Sequence, residues 1–347
     1  MKKNVSVVLD VWRILACIFV FVGHGFVFFH ITPFKDASYF FYFQDFAVLI
    51  FVILSGFLNT YSLDNTNRSF FRWGGQRVVR IYSYYIPALL VVALIDALHW
   101  PLHINFSFIN EYNIQTFICN ILMLNSRNWS AEGIASFASM KPLWTLVVEW
   151  WLNQVHAFLV LEHKHKSYDS IISYLKDGIV LILLMGYLAT VYHVQYVVFA
   201  YLLGIVVYRI YQELSAKGYV IVLGITLVGI VASGVVYKQA YNYIVLILLV
   251  LLFLCTLVWA NRSDVYWVND HTQNVLLHLR NLTFPIYMIH YTIFTFVVEI
   301  KYPNEGIRDF FVAIVISVLV SYVILFMGNA NRKIIDKLVI LNKGREV

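Results

Sequence analysis

The sequence predicts an all-α protein, a polytopic bundle of transmembrane helices. Three observations predict it. Of 347 residues, 61% are hydrophobic and 17% aromatic while only 13% are charged, and the mean hydropathy is +0.74. Apolar runs of about 20 residues, the length that crosses about 30 Å of hydrocarbon, recur along the whole chain. A soluble domain of this length could not cover so much apolar surface with so few charges.

Ten such runs are expected, at roughly 7–29, 39–62, 80–99, 142–161, 177–193, 195–212, 219–237, 241–260, 278–299 and 308–328. The first begins after a short basic start, is too long for a signal-peptide core and lacks a small-residue cleavage site, so it reads as a permanent span. Basic residues in short loops set orientation. With the N-terminus in the cytoplasm, about 18 lysines and arginines fall inside and about 6 outside, with Arg13 set apart within the membrane. Both termini are therefore expected to be cytoplasmic. The turn between the fifth and sixth runs, "YHVQY", has to be very tight; if it is not a turn, the two runs are one kinked segment and the C-terminal topology inverts. The stretch 100–141 is the one long outer segment, and its "TFICNILML" is too short to cross, so it is expected to lie against the outer face. No soluble domain fits in the loops and no internal repeat is visible, so residues 1–347 read as one membrane domain with a basic tail at 329–347. Cys17, Cys119 and Cys255 all lie in apolar stretches without paired spacing, which suggests neither a disulfide framework nor a metal site.

Polar residues at depth are where function is to be sought. "WRILACIFVFVGHGF" in the first run carries Arg13 and His24, eleven residues apart. Eleven helical steps come to about 20° past three turns with a rise of roughly 16 Å, so the two share one face half a membrane apart. Arg13 either snorkels to the cytoplasmic headgroups or faces the interior. His24 is either a neutral inter-helix hydrogen-bond partner or a working base, and Gly23 and Gly25 beside it admit a close neighbour. In the fourth run, "KPLWTLVVEWWLNQVH" puts Glu149 about 10 Å beyond Pro142. That puts Glu149 about 10 Å below the outer surface, close to the depth of His24, whose ring it could orient, the alternative being a structural inter-helix hydrogen bond. "RWGGQRVVRIYSYYIP" places Arg77 and Arg80 on one helix face, suited either to phosphate oxygens or to anchoring on anionic lipid. "VILSGFL" brings Ser55 and Gly56 to the end of the second run, and "FPIYMIH" puts His290 near mid-membrane after Pro285, for packing or for substrate contact.

Taken in order, Arg13 and His24, "LSGFL", Arg77-x-x-Arg80 followed by Tyr-x-Ile-Pro, "PLWTLVVE" and "FPIYMIH" resemble acyltransferase family 3 from about residue 7 to 328. The resemblance implies a ten-helix bacterial inner-membrane protein that moves an acyl group, often acetyl from acetyl-CoA, onto an extracytoplasmic carbohydrate such as O-antigen, capsule or peptidoglycan. It implies His24 as the catalytic histidine, Glu149 as the carboxylate of the Trp-containing motif, and Arg13, Arg77 and Arg80 as acyl-CoA-binding residues. Ser55, His290 and Trp144 are then candidates for lining the substrate channel. The donor acyl-CoA is a substrate; no metal and no bound cofactor is implied, and membrane lipid and a glycan or lipid-linked acceptor are the expected partners, with no nucleic acid. The chain departs from the family pattern at Trp150, where a second acidic residue is common, and at "MGNANR", where a Glu-Pro is common. Two other readings stay open: a small transporter using the buried charges as a proton or substrate path, and a membrane-bound O-acyltransferase of the unrelated kind, resting on His290 in place of His24.

Overall fold

The computed structural model describes residues 1–31, 43–102, 106–125, 134–165, 171–188, 194–214, 222–230, 241–263, 268–300 and 306–343. Their helices are α1 (Lys3–Phe28), α2 (Phe43–Asp64), α3 (Phe70–Ala97), the one-turn α4 (His99–Leu102), α5 (Ile114–Ile121), α6 (Leu143–His165), α7 (Ile171–Leu188), α8 (Val194–Ile210), α9 (222–230), α10 (Tyr243–Arg262), α11 (Asp270–Ile300) and α12 (Ile307–Lys343). Each of the ten expected runs holds one of them. Six are long and apolar enough to cross a membrane: α1, α2, α3 continued through α4, α10, α11 and α12 as far as Ile335. Large side chains such as Leu94, Ile182, Leu183 and Phe326 stand more than two-thirds exposed on helix surfaces, as lipid contact requires. The chain is therefore a multi-pass membrane protein. α6 carries Glu149, Asn153, Gln154 and His156 among its apolar residues. The "YHVQY" turn lies partly outside the described residues.

Two apolar cores organise the bundle. One joins α1, α2, α8 and α10, and the other joins the far end of α1 to α3, α11, α12 and the segment before α6. α2 and α8 meet where Gly56 faces the Tyr201 carbonyl and Gly204 faces the Ile53 carbonyl; a Cβ at either position would overlap the opposing backbone. The small-residue pairing anticipated at Ser55-Gly56 is thus a helix crossing in which backbones touch. The glycines beside His24 have the same explanation, Gly23 against Gln44 and Gly25 against Phe310.

Three features depart from expectation. First, α3 begins at Phe70, ten residues before the expected start, so "RWGGQR" is helical. Its glycine pair does not break the helix because Gly74 packs against Gln154 of α6, and Trp73 Nε1 donates to Ser62 Oγ at 3.2 Å. Second, α12 runs on through "MGNANR", Gly328 seated against the Tyr84 ring, Tyr84 donating to Asn329 Oδ1 at 2.7 Å and Asn331 Nδ2 donating to the Ser83 carbonyl at 3.4 Å. That last bond has a clear cause. Pro87 has no N–H, so the carbonyl four residues earlier loses its helical donor, and Asn331 supplies one.

Third, the segment expected on the outer face enters the bundle. Tyr112 donates to the Ala93 carbonyl, Tyr85 to that of Asn120 and Tyr82 to that of Ile121. The segment thus descends along α3 by eleven residues, roughly 16 Å of rise. At its turn Trp151 Nε1 donates to the Met123 carbonyl at 2.7 Å and Tyr187 to that of Asn125 at 3.2 Å. It returns buried from Ser136 to Met140 and ends clamped at Ser139, whose Oγ and N–H both donate to Asp96 while the hydroxyl also meets Thr292. Two non-glycine residues of this re-entrant path, Met123 and Ala138, have φ of 54° and 47°, and neither is exposed at all. Left-handed backbone at such positions persists only where the surroundings hold it. Asn113 caps α5 by accepting from the Thr116 N–H, and Asn120, the one buried residue of α5, bonds to Thr116, Ala135 and Phe137, which ties the helix to the returning stretch of chain.

Candidate active site

α1 carries two polar stations. At the first, Asp10 accepts from Arg13 at 3.2 Å and from Arg280 of α11 at 3.3 Å. Arg77 donates to Asn59 Oδ1 at 2.8 Å and lies over the Trp73 ring at 4.8 Å. Arg80 has like-charged neighbours in Arg280 and Arg332, with no salt-bridge partner among the described residues. Arg332 reaches this place because α12 is clamped to α3 through Asn329 and Asn331. Five guanidinium groups thus gather with two carboxylates, Asp10 and Glu149.

Glu149 belongs to this station and not to His24. It lies within reach of the Ser55 hydroxyl and Asn153 and in the field of Arg77 and Arg13. Behind it, Ser55 and Asn153 bond to each other, Asn59 donates to Tyr201, and Tyr201 also meets Asn153 and His156. This network joins α2, α6 and α8 and fixes the acceptor oxygen that Arg77 uses. The matching depth inferred from sequence fails because Pro142 is level with Tyr287, between His290 and Glu149. Pro142 follows Lys141, which pairs with Glu111 at the start of the segment, and its carbonyl accepts from Tyr287. His290 lies three residues to one side of Tyr287 and Glu149 seven to the other side of Pro142, a separation of roughly 15 Å by helical rise.

His24 is at the second station. Its ring is 5.4 Å from that of His290, inclined at 31°, and 5.3 Å edge-on from Tyr291. No hydrogen-bond partner meets its ring nitrogens among the described residues. Phe21 and Phe294 pack on His290, and Phe28 lies 4.8 Å from Tyr291. His290 is fully buried; its Nδ1 donates to the Tyr287 carbonyl at 2.8 Å, while its Nε2 has no partner among the described residues. Trp144, expected in a channel, is 6% exposed and enclosed in the first apolar core.

The structure therefore brings Arg13, Arg77, Arg80, Ser55 and Glu149 together at one station and His24 and His290 at the other. A single helix, α1, links the two. The comparison that decides the family is a model of an acyltransferase domain, which matches residues 7–326. The chain belongs to acyltransferase family 3. As a member of that family it is a membrane O-acyltransferase, which favours that reading over a transporter and sets aside the unrelated membrane-bound O-acyltransferases. No curated protein and no solved structure matches it.

Several residues of this acyltransferase escaped the sequence reading: Asp10, Asn59, Asn153, Tyr201, Arg280 and Arg332. Spacing could have found some. Asn59 follows Ser55 by four residues and Asn153 follows Glu149 by four, so each extends a polar stripe on one helix face. Arg280 and Arg332 carry no such signal, since basic residues at span ends are ordinary anchors. Three free cysteines, two of them buried, complete the interior polar groups, Cys17 donating weakly to the Thr283 carbonyl.

Proposed function

We propose that this protein transfers an acyl group, in the simplest case acetyl, from cytoplasmic acyl-CoA to a hydroxyl of an extracytoplasmic surface carbohydrate in a bacterial inner membrane. In this reading ten spans place both termini in the cytoplasm. Arg13, Arg77 and Arg80 hold the donor phosphates, because guanidinium forks match phosphate oxygens and a cluster of like charges favours an anionic ligand. The thioester end reaches along α1 to His24, whose free ring nitrogens leave it able to take a proton. His24 removes the proton of the acceptor hydroxyl, the oxygen attacks the thioester carbon, the C–S bond breaks, and the proton passes to the departing thiolate. The products are an O-acyl ester and free coenzyme A. Direct transfer requires donor and acceptor to meet at His24; an acyl-histidine relay uses the same atoms in two steps.

The observation that carries the reading is the family match together with one helix bearing a basic station and, roughly 16 Å away by rise, an unpartnered histidine. Neither the bulky donor nucleotide nor the glycan then has to cross the membrane. Protein reconstituted in lipid and supplied with radiolabelled acetyl-CoA and the host's surface-carbohydrate precursors tests it. Label is expected in carbohydrate with wild type and not with a folded His24→Ala variant. Equal labelling by both variants removes His24 from the chemistry, and binding of acetyl-CoA unchanged by Arg77→Ala removes the arginines from the donor site.

A further inference from the structure

His290 has a feature that packing does not explain: a ring nitrogen that is buried and makes no hydrogen bond. Such atoms are rare in folded proteins and are commonly reserved for a ligand or a reaction. The ring is fixed from its other side. Nδ1 lies 2.8 Å from the Tyr287 carbonyl and 3.2 Å from that of Ile286, and a carbonyl only accepts, so the proton sits on Nδ1 and Nε2 keeps its lone pair. Five aromatic rings pack against the imidazole among the described residues. The His24 ring is 5.4 Å away centroid to centroid, nearer than Phe21, Phe294, Tyr287 or Tyr291. Glu149, the carboxylate available on sequence grounds, lies at the other station.

Resting on the acyl-transfer reading above, we propose that His290 is the positioning residue of His24: the two rings, 5.4 Å apart and not hydrogen-bonded to each other here, close in the working site so that His290 Nε2 accepts the N–H of His24, fixes the tautomer of that ring, and so leaves the second His24 nitrogen as the base. An imidazole thus takes the place that a carboxylate holds in a Ser-His-Asp arrangement. The physical advantage is that a neutral acceptor orients the base without a second charge in a low-dielectric site, where an unpaired carboxylate is strongly disfavoured. When His24 takes the acceptor's proton, the positive charge that forms faces the His290 lone pair. No bond to His290 forms or breaks; the proton goes from hydroxyl to His24 and on to the thiolate.

Two measurements test this. Solid-state nitrogen-15 spectra of wild-type protein labelled at histidine, in lipid bilayers, report tautomers directly, with His290→Gln used to assign its signals. His290 is expected to be neutral and protonated at Nδ1, with His24 carrying one hydrogen-bonded proton that changes on His290→Gln. A His290 ring protonated at Nε2, or a His24 signal indifferent to that substitution, overturns the pairing. In acyl transfer, His290→Phe keeps the ring bulk and removes the acceptor, and it is expected to lower kcat by about 10²-fold with donor KM within about threefold. His290→Gln, whose carbonyl oxygen can accept the His24 proton, should recover about tenfold of that loss and shift the acid limb of the pH–rate profile relative to wild type. Equal losses in both variants with an unshifted profile overturn the pairing. Wild-type protein that moves no acetyl from acetyl-CoA defeats the acyl-transfer reading instead, and the spectrum still decides whether the two rings are joined.

Discussion

The two polar stations on α1 are built in opposite ways. At the arginine station most polar groups are engaged: Asp10 bridges two guanidinium groups, Asn59 receives Arg77, and Ser55, Asn153, Tyr201 and His156 close a network around Glu149. At the histidine station the rings lie among aromatic side chains, with open nitrogens on His24 and His290. The first spends its hydrogen bonds on holding charge in place, as a group that binds a large anion must. The second leaves atoms without partners in an apolar setting, where a proton in transit has few competing acceptors. On the proposed acyl-transfer reading, the difference separates binding from chemistry along one helix.

Substitutions break or sharpen that contrast. The largest effect is expected from His24→Ala: kcat down by about 10³-fold or more with donor binding retained, read by acyl transfer and by acetyl-CoA binding to the same preparation. Next comes Arg77→Ala, expected to raise donor KM by about 10- to 100-fold with kcat little changed, since a charge-assisted bond to phosphate is worth roughly 1.5–3 kcal/mol. Glu149→Gln separates the two stations most cleanly. Its charge acts on Arg77 and Arg13, so donor KM and its salt dependence are expected to move by about tenfold or less; a changed pH–rate profile with unchanged KM would instead return Glu149 to His24. The smallest effect belongs to Asn331→Ala. It deprives the Ser83 carbonyl of its donor and should lower stability by about 1 kcal/mol, visible as a lowered Tm with normal kcat.

Legibility in the sequence followed the range of the forces involved. Lipid selects for long apolar runs because every span meets the same solvent, so the helices around 7–29, 241–260 and 278–299 were readable from hydropathy alone. Arg13 and His24 share a face by helical periodicity, which belongs to one helix and needs no partner. The start of α3 and the path of 106–142 were not readable in this way, because both depend on what other helices offer: Gln154 beside Gly74, and the Tyr82, Tyr85 and Trp151 donors that receive a descending backbone.

What the sequence by itself determined is the membrane class, the placing of most helices, the family, and the residue types its chemistry needs. What only the tertiary structure decided is which of those residues meet. Glu149 joined Arg77 and Arg13 because Pro142 is held level with Tyr287, which carries the next two turns of α6 away from His24 and His290. His24 was left with His290 because α1 and α11 cross there. Depth along a single helix follows from rise per residue, but matching two helices in depth requires knowing where each enters the membrane, and that is set by packing between segments far apart in the chain.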